Sequence, residues 1–253
     1  MNFKVNTNPV EPFERIEFAF VLLPSNTELQ HVLSLAQTVH YILHDAELSN
    51  DIPCEWGSYH NQALRMPHLS IGQYGILGTE LDILKSIVHD ISAVTPVITQ
   101  SMNDTLSILD DYIFFDSTEC FEKVNTHIST AYQRLRALYF KQIQTRFPIA
   151  QALLAKQRCA NDPLECELIE RCFQNWGTPE ENRMRPHFTL HYHSRYVNES
   201  MHTILDENKS IKMQLASLST ITLTHLGIVR IDTFGNPVAN GLLCSYPLAH
   251  AQN

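Results

Sequence analysis

Two stretches of this chain restate one another, and the repeat constrains the fold more than any other feature of the sequence. The first is WGSYHNQALRMPHLSI from Trp56 and the second is WGTPEENRMRPHFTL from Trp176. Each runs Trp-Gly-Ser/Thr, a polar loop, Arg-Met, then Pro-His-x-Ser/Thr-aliphatic, and both tryptophans of the chain lie in them. Their histidines, His68 and His187, are 119 residues apart. Self-similarity of this kind marks two similar halves. A bare His-x-Ser/Thr arises about twice by chance in a chain of this composition. A third copy, His127-Ile128-Ser129, is indeed present, but it falls in a helical pattern where residues two apart point to different sides, so it is a decoy. Requiring Pro before and an aliphatic residue after lowers the chance expectation to roughly a few hundredths, and both copies pass.

A chain of 253 residues has room for one large domain or two small lobes. Residues 15 to 23 alternate as a strand, and 27 to 44 carry Leu29, Val32, Leu33, Ala36, Val39 and Leu43 at helical spacing. A second helix is predicted over 79 to 93, with Thr79 and Asp82 as a capping pair and Leu81, Leu84, Ile87, Val88 and Ile91 as its stripe. Strands at Thr105 to Leu109 and Tyr112 to Phe115 precede a long helix from Glu119 to Gln144. Residues 148 to 175 read as a helical insertion between the halves. The second half offers a strand at Pro186 to Tyr192, a helix at Asn198 to Glu207, and strands at Thr220 to Arg230 and Ala239 to Tyr246. This alternation predicts an α+β or α/β protein of two similar lobes sharing one cleft.

On a strand the side-chain period is two, so His68 and Ser70 share one face while Leu69 and Ile71 turn to the core. His187 and Thr189 do the same against Phe188 and Leu190. Related lobes would bring two imidazoles and two hydroxyls to one ligand, a set that fits a phosphodiester. In-line displacement at phosphorus needs a base on the attacking oxygen and an acid on the departing one. Histidine, with an unperturbed pKa near 6.5, serves as either, and hydroxyls hold the non-bridging oxygens. The scheme requires no metal and no cofactor.

The two segments His68-Leu69-Ser70-Ile71 and His187-Phe188-Thr189-Leu190 resemble the paired H-x-[ST]-aliphatic motifs of the 2H phosphoesterase family, which includes the 2'-5' RNA ligase-like proteins and cyclic nucleotide phosphodiesterases. The resemblance covers nearly the whole chain and extends to the order of strands and helices around each motif. It implies an α+β fold of two pseudo-symmetric lobes, each an antiparallel sheet with helices packed outside and the active-site cleft between the sheets, forming one bilobal domain over residues 1 to 253. The lobe motifs fall near 56 to 74 and 176 to 193. It implies metal-independent action on 2',3'-cyclic phosphates, ADP-ribose cyclic phosphates or 2'-5' linked oligonucleotides, with His68, Ser70, His187 and Thr189 as the catalytic set. The first motif carries Ser70 where the family more commonly has Thr.

Other residues have two readings each. Arg185 shares strand parity with His187 and could clamp a phosphate, whereas Arg65 and Arg183 read more readily as surface or inter-lobe ion pairs. Tyr74, on the parity of His68, either stacks on a base or packs. Trp56 and Trp176 read first as core anchors and second as stacking walls. His191 and His193 share the strand parity of His187, where a metal site is one reading and a supporting role for His191 beside His187 is the better one. His31, His40 and His44 read as solvent-facing.

The charge of −9, from 27 acidic and 18 basic residues, argues against duplex nucleic acid as partner and leaves a small nucleotide or oligonucleotide. Six dispersed cysteines without a C-x-x-C pair predict buried free thiols. No apolar run is long enough for a membrane span and the start lacks a signal-peptide core, so a cytoplasmic protein without a membrane partner is expected. Gly-rich phosphate loops and a G-x-S-x-G elbow are absent. The rival reading is a nucleotide- or RNA-end-binding module of the same fold without turnover.

Overall fold

In the computed structural model of this chain, strand β1 (Arg15–Pro24) is apolar on both faces because both faces are buried. Ile16, Phe18, Phe20 and Leu22 join the main core, while Ala19, Val21 and Leu23 join a smaller cluster with Val229, Ile231 and Leu242. The structure describes residues 5–7, 9–49, 67–109, 112–117, 126–144, 187–192, 199–231 and 237–249. After β1 come α1 (Asn26–Ser49), β2 (Leu69–Leu77), α2 (Leu81–Val94), β3 (Ile98–Leu109), β4 (Tyr112–Ser117) and α3 (Thr126–Tyr139). Then follow β5 (His187–Tyr192), α4 (Glu199–Glu207), α5 (Lys209–Ser217), β6 (Thr220–Ile231) and β7 (Pro237–Pro247).

The fold is α+β, with helices on a large antiparallel sheet. Its seven strands are ordered β1-β2-β5-β4-β3-β6-β7, and β6 also pairs with β1, so six of them close into a ring. All strand pairings are antiparallel. One half of the ring is β2, β1 and β6, extended by β7; the other is β5, β4 and β3. The halves are continuous through two seams, β2 with β5 and β6 with β3. Helices α1, α2, α3, α4 and α5 all contribute to the main core, so that side of the sheet is its helix-bearing face.

Local sequence explains where α1 begins. Ser25 Oγ accepts from the Glu28 N–H at 3.4 Å and in turn hydrogen-bonds the Glu28 carboxylate, a capping arrangement. The same carboxylate accepts from Thr222 N–H at 2.7 Å, which ties the helix start to β6. The predicted stripes of α1 and α2 are all buried. The expected capping pair at Thr79 does not form. Residues Gly78–Glu80 make a 3-10 turn instead, and the N–H groups of Gly78 and Thr79 donate to the carbonyls of Glu14 and Pro12.

β3 and α5 depart most from the sequence expectation. β3 starts at Ile98 rather than Thr105, because the polar run from Thr99 pairs with β6 at Thr220 to Leu223 and buries Gln100 against Ser117. α5 is additional: Asn208 caps it, accepting from Ser210 and Ile211 N–H at 2.9 and 3.2 Å, and Ile211 and Leu215 bury its inner side. The insertion at 148 to 175 lies outside the described residues.

Candidate active site

The two motifs meet at the seam between β2 and β5. These strands pair antiparallel with Leu69 opposite Phe188, the middle residues of the motifs. The antiparallel sense therefore sets His68 beside Thr189 and Ser70 beside His187. Leu69, Phe188 and Leu190 have no exposure, whereas His68, Ser70, His187 and Thr189 are partly exposed. Residues directly opposite across an antiparallel pair share a face. Leu69, opposite Leu22, and Phe188, opposite Phe115, lie on the helix-bearing face. Ser70, opposite Val21, and His187 and Thr189, opposite Asp116 and Phe114, lie on the other, which is the motif face.

Each motif strand then bulges at the same place. Along β1 and β2 the register jumps from Val21 opposite Ser70 to Phe20 opposite Gly72, leaving Ile71 as the extra residue. Along β4 and β5 it jumps from Phe114 opposite Thr189 to Ile113 opposite His191, leaving Leu190 as the extra residue. Both are the aliphatic fourth position of their motif. A bulge of one residue reverses the alternation that follows it, and two sequence expectations fail for this one reason.

Tyr74, expected on the face of His68, lies on the helix-bearing face opposite Phe18 and is 5% exposed. Its ring packs on Phe18, Phe20 and Tyr139, and its hydroxyl is 3.1 Å from that of Tyr132. Tyr139 donates to the Gly75 carbonyl at 2.7 Å. Burial pushes both the Tyr74 and Tyr139 phenols above their ordinary range. Tyr74 is thus a core residue. His191, expected to continue the face of His187, is turned to the opposite face, has no exposure, and sits 6.2 Å between ring centroids from His40 of α1. His40 is accordingly half-buried rather than solvent-facing. Ile71, expected in the core, is the partly buried bulge residue.

Two residues on the motif face went unseen in the sequence. Phe114 brings its ring within 4.4 Å of the His187 ring at 55°. Asp116 stands opposite His187 and is 5% exposed. Alternation along β4 puts Ile113 and Phe115 in the core and leaves this pair on the other face, but which strand they meet is a matter of long-range register. The decoy His127 is exposed on α3, with Ile128 buried beside it. Trp56, Trp176, Arg65, Arg183, Arg185 and His193 lie outside the described residues. Among the described residues, no group of three or more His, Cys, Asp or Glu is placed to hold a metal ion, and no helix is long and apolar enough to cross a membrane. Cys244 is a buried free thiol.

No family model matches this chain, and no curated protein matches it. Solved structures do. That of TT0787 from Thermus thermophilus aligns with a TM-score of 0.50 at 10% identity, covering 94% of this chain and 100% of that one. E. coli LigT complexed with 3'-AMP aligns at 0.45 and 15% identity, over 93% and 99%. Kluyveromyces marxianus Usb1 with uridine monophosphate aligns at 0.40 and 10%, over 92% and 98%. The likeness is one of fold. The chain has a mixed helix and antiparallel-sheet fold like that of TT0787.

Proposed function

We propose that this chain is a metal-independent phosphodiesterase acting on 2',3'-cyclic phosphates or on 2'-5' linked nucleotides and RNA ends. The observation that supports the reading is the Leu69 to Phe188 pairing, which gathers His68, Ser70, His187 and Thr189 at one seam. In hydrolysis of a cyclic phosphate, one imidazole takes a proton from water as the new phosphorus–oxygen bond forms. The other gives a proton to the ribose oxygen as its bond to phosphorus breaks, leaving a phosphate monoester. Ser70 and Thr189 donate to the non-bridging oxygens, where negative charge develops. The substrate is a small nucleotide or oligonucleotide, in keeping with the acidic chain. A buried free thiol at Cys244 agrees with a reducing compartment, the cytoplasm.

The test is incubation of the purified protein, with and without EDTA, against 2',3'-cyclic nucleotides, ADP-ribose 1'',2''-cyclic phosphate, and 2'-5' and 3'-5' oligoadenylates. The His68→Ala/His187→Ala double variant serves as the blank. Product that survives EDTA and vanishes in the blank is the expected result. Stoichiometric binding of one of these ligands without product would replace the enzyme by a binding module of the same fold.

A further inference from the structure

We infer that His225 is a specificity-determining residue, whose imidazole hydrogen-bonds the base edge of the nucleotide that places its phosphate at His68 and Thr189. The inference rests on the function proposed above and names what holds the other end of that substrate. It is carried by one row of residues that crosses the motif face. The register that puts Leu22 against Leu69 carries Leu23 beside His68, and Leu23 in turn stands opposite His225 of β6. On the other side of His68 the row continues through Thr189 to Phe114 of β4. Residues directly opposite share a face, so His225 lies on the motif face two strands from His68. Neighbouring strands are about 4.8 Å apart, which separates the two positions by about 10 Å. This interval matches the reach from a nucleotide's phosphate to the far edge of its base and exceeds the reach to its ribose.

The surroundings of His225 suit that role. Next to it the motif face is shut, because Ala19, Val21, Leu23 and Val229 have no exposure. His225 itself is partly exposed, and further along β6 so is Thr222, with Thr99 open to water opposite it. The ring is anchored on one side: Nδ1 lies 2.9 Å from the hydroxyl of Thr224. Thr224 is the extra residue where β6 bulges, between His225 opposite Leu23 and Leu223 opposite Pro24. Among the described residues nothing takes the other nitrogen, Nε2. Burial holds the imidazole below its ordinary 6.5, so the ring is neutral near pH 7. A phosphate would favour the protonated ring, which this setting resists. A neutral ring with one nitrogen anchored offers the other as a single donor or acceptor, the kind of group that reads the edge of a base.

The test compares each nucleoside 2',3'-cyclic phosphate with base-free ribose 2',3'-cyclic phosphate as substrates of the wild-type chain, His225→Ala and His225→Gln. Wild type is expected to prefer a nucleoside over the base-free compound, and His225→Ala to lower that preference by about 10-fold through KM rather than kcat. His225→Gln, which keeps a hydrogen-bonding side chain, should restore most of it. A preference unchanged in His225→Ala, or a loss carried by kcat, would overturn the inference. A second measurement needs neither turnover nor a variant: imidazole NMR of the wild-type chain with 2'- and 3'-nucleoside monophosphates, which hold no diester to cleave. These should shift the His225 ring resonances, and inorganic phosphate should leave them in place; a nucleotide that binds without moving them overturns the inference. A shifted His225 in a chain that cleaves no diester would retire the enzyme and keep this assignment, whereas cleavage with His225 unmoved would do the reverse. A chain that neither binds nor cleaves any nucleotide overturns both.

Discussion

Leu69 and Phe188, 119 residues apart in the chain, face each other across the seam between β2 and β5 and are both wholly buried. Because they are the central residues of the two motifs, their pairing sets each imidazole beside the other strand's hydroxyl. A slip of one residue along either strand would turn every motif side chain to the wrong face. The apolar pair thus fixes the polar one, and the expectations below follow from that division of labour.

His68→Ala and His187→Ala are each expected to lower kcat by about 10² to 10⁴-fold on a cleaved cyclic phosphate. Both side chains are partly exposed and lie off the helix-bearing face, so the urea midpoints should stay near wild type. His127→Ala, on the exposed side of α3, should leave turnover as it was. Steady-state kinetics beside equilibrium unfolding checks all three, and a kinetic loss accompanied by unfolding would count against a catalytic role.

The hydroxyls should be weaker but parallel. Ser70→Ala and Thr189→Ala are each expected to cost about 10²-fold in kcat with little change in KM, the pattern of donors that act as charge develops. Thr189→Ser should remain close to wild type, since a serine already stands in the equivalent place at Ser70.

Tyr74→Phe removes one partner of the hydroxyl contact with Tyr132 inside the core. It should lower stability by about 1 kcal/mol, read as a shifted urea midpoint, while KM for a cleaved nucleotide stays unchanged. A raised KM with unaltered stability would return Tyr74 to the binding surface.

Alkaline pH should destabilise the fold in a definite window. Burial pushes the Cys244 thiol from an ordinary 9.0 up to about 12, so over that range the folded protein holds a proton the unfolded chain has lost. Stability from this group is complete below pH 9.0 and declines as pH rises, by at most about 1.4 kcal/mol per pH unit. The Tyr74 and Tyr139 phenols, raised by burial from an ordinary 10.0, add a decline of the same sign. His225 acts the other way: burial lowers its imidazole below the ordinary 6.5, so its share is present above that value and lost as pH falls. Denaturant midpoints from pH 8 to 11 in wild type and Cys244→Ala measure the first effect, and the variant should show the shallower decline.

Much of this architecture could be read from residue spacing. The repeat located the pair of motifs, strand parity separated Leu69 and Phe188 from their polar neighbours, and the stripes of α1 and α2 marked the core. What escaped has a common physical origin in register. Neither the bulge at Ile71 nor that at Leu190 interrupts the apolar-polar alternation, so Tyr74 and His191 carry the wrong face into any strictly periodic reading. Gly72 is the one local sign: a Cβ there would come within 2.9 Å of the Tyr132 ring, and an isolated glycine in a strand often marks a bulge. That Asp116 and Phe114 border the second motif escaped because the strand they pair with lies 71 and 75 residues further along. The short α5 offered only Ile211 and Leu215 as its apolar spacing, and its Asn208 cap was the stronger signal.

Strand β6 pairs with β1, β3 and β7, and this has a consequence for how the protein is made. As the ribosome releases the chain, β1 emerges early and can find β2, but its other edge stays unsatisfied until residues 223 to 230 have been synthesised. Contacts so distant in sequence make for slow acquisition of structure. Until then the nascent chain carries an open apolar strand edge, the kind of surface through which unfinished polypeptides adhere to one another. Translation arrested before β6 would therefore yield a sticky fragment, and chaperone demand should be greatest for products that stop just short of it.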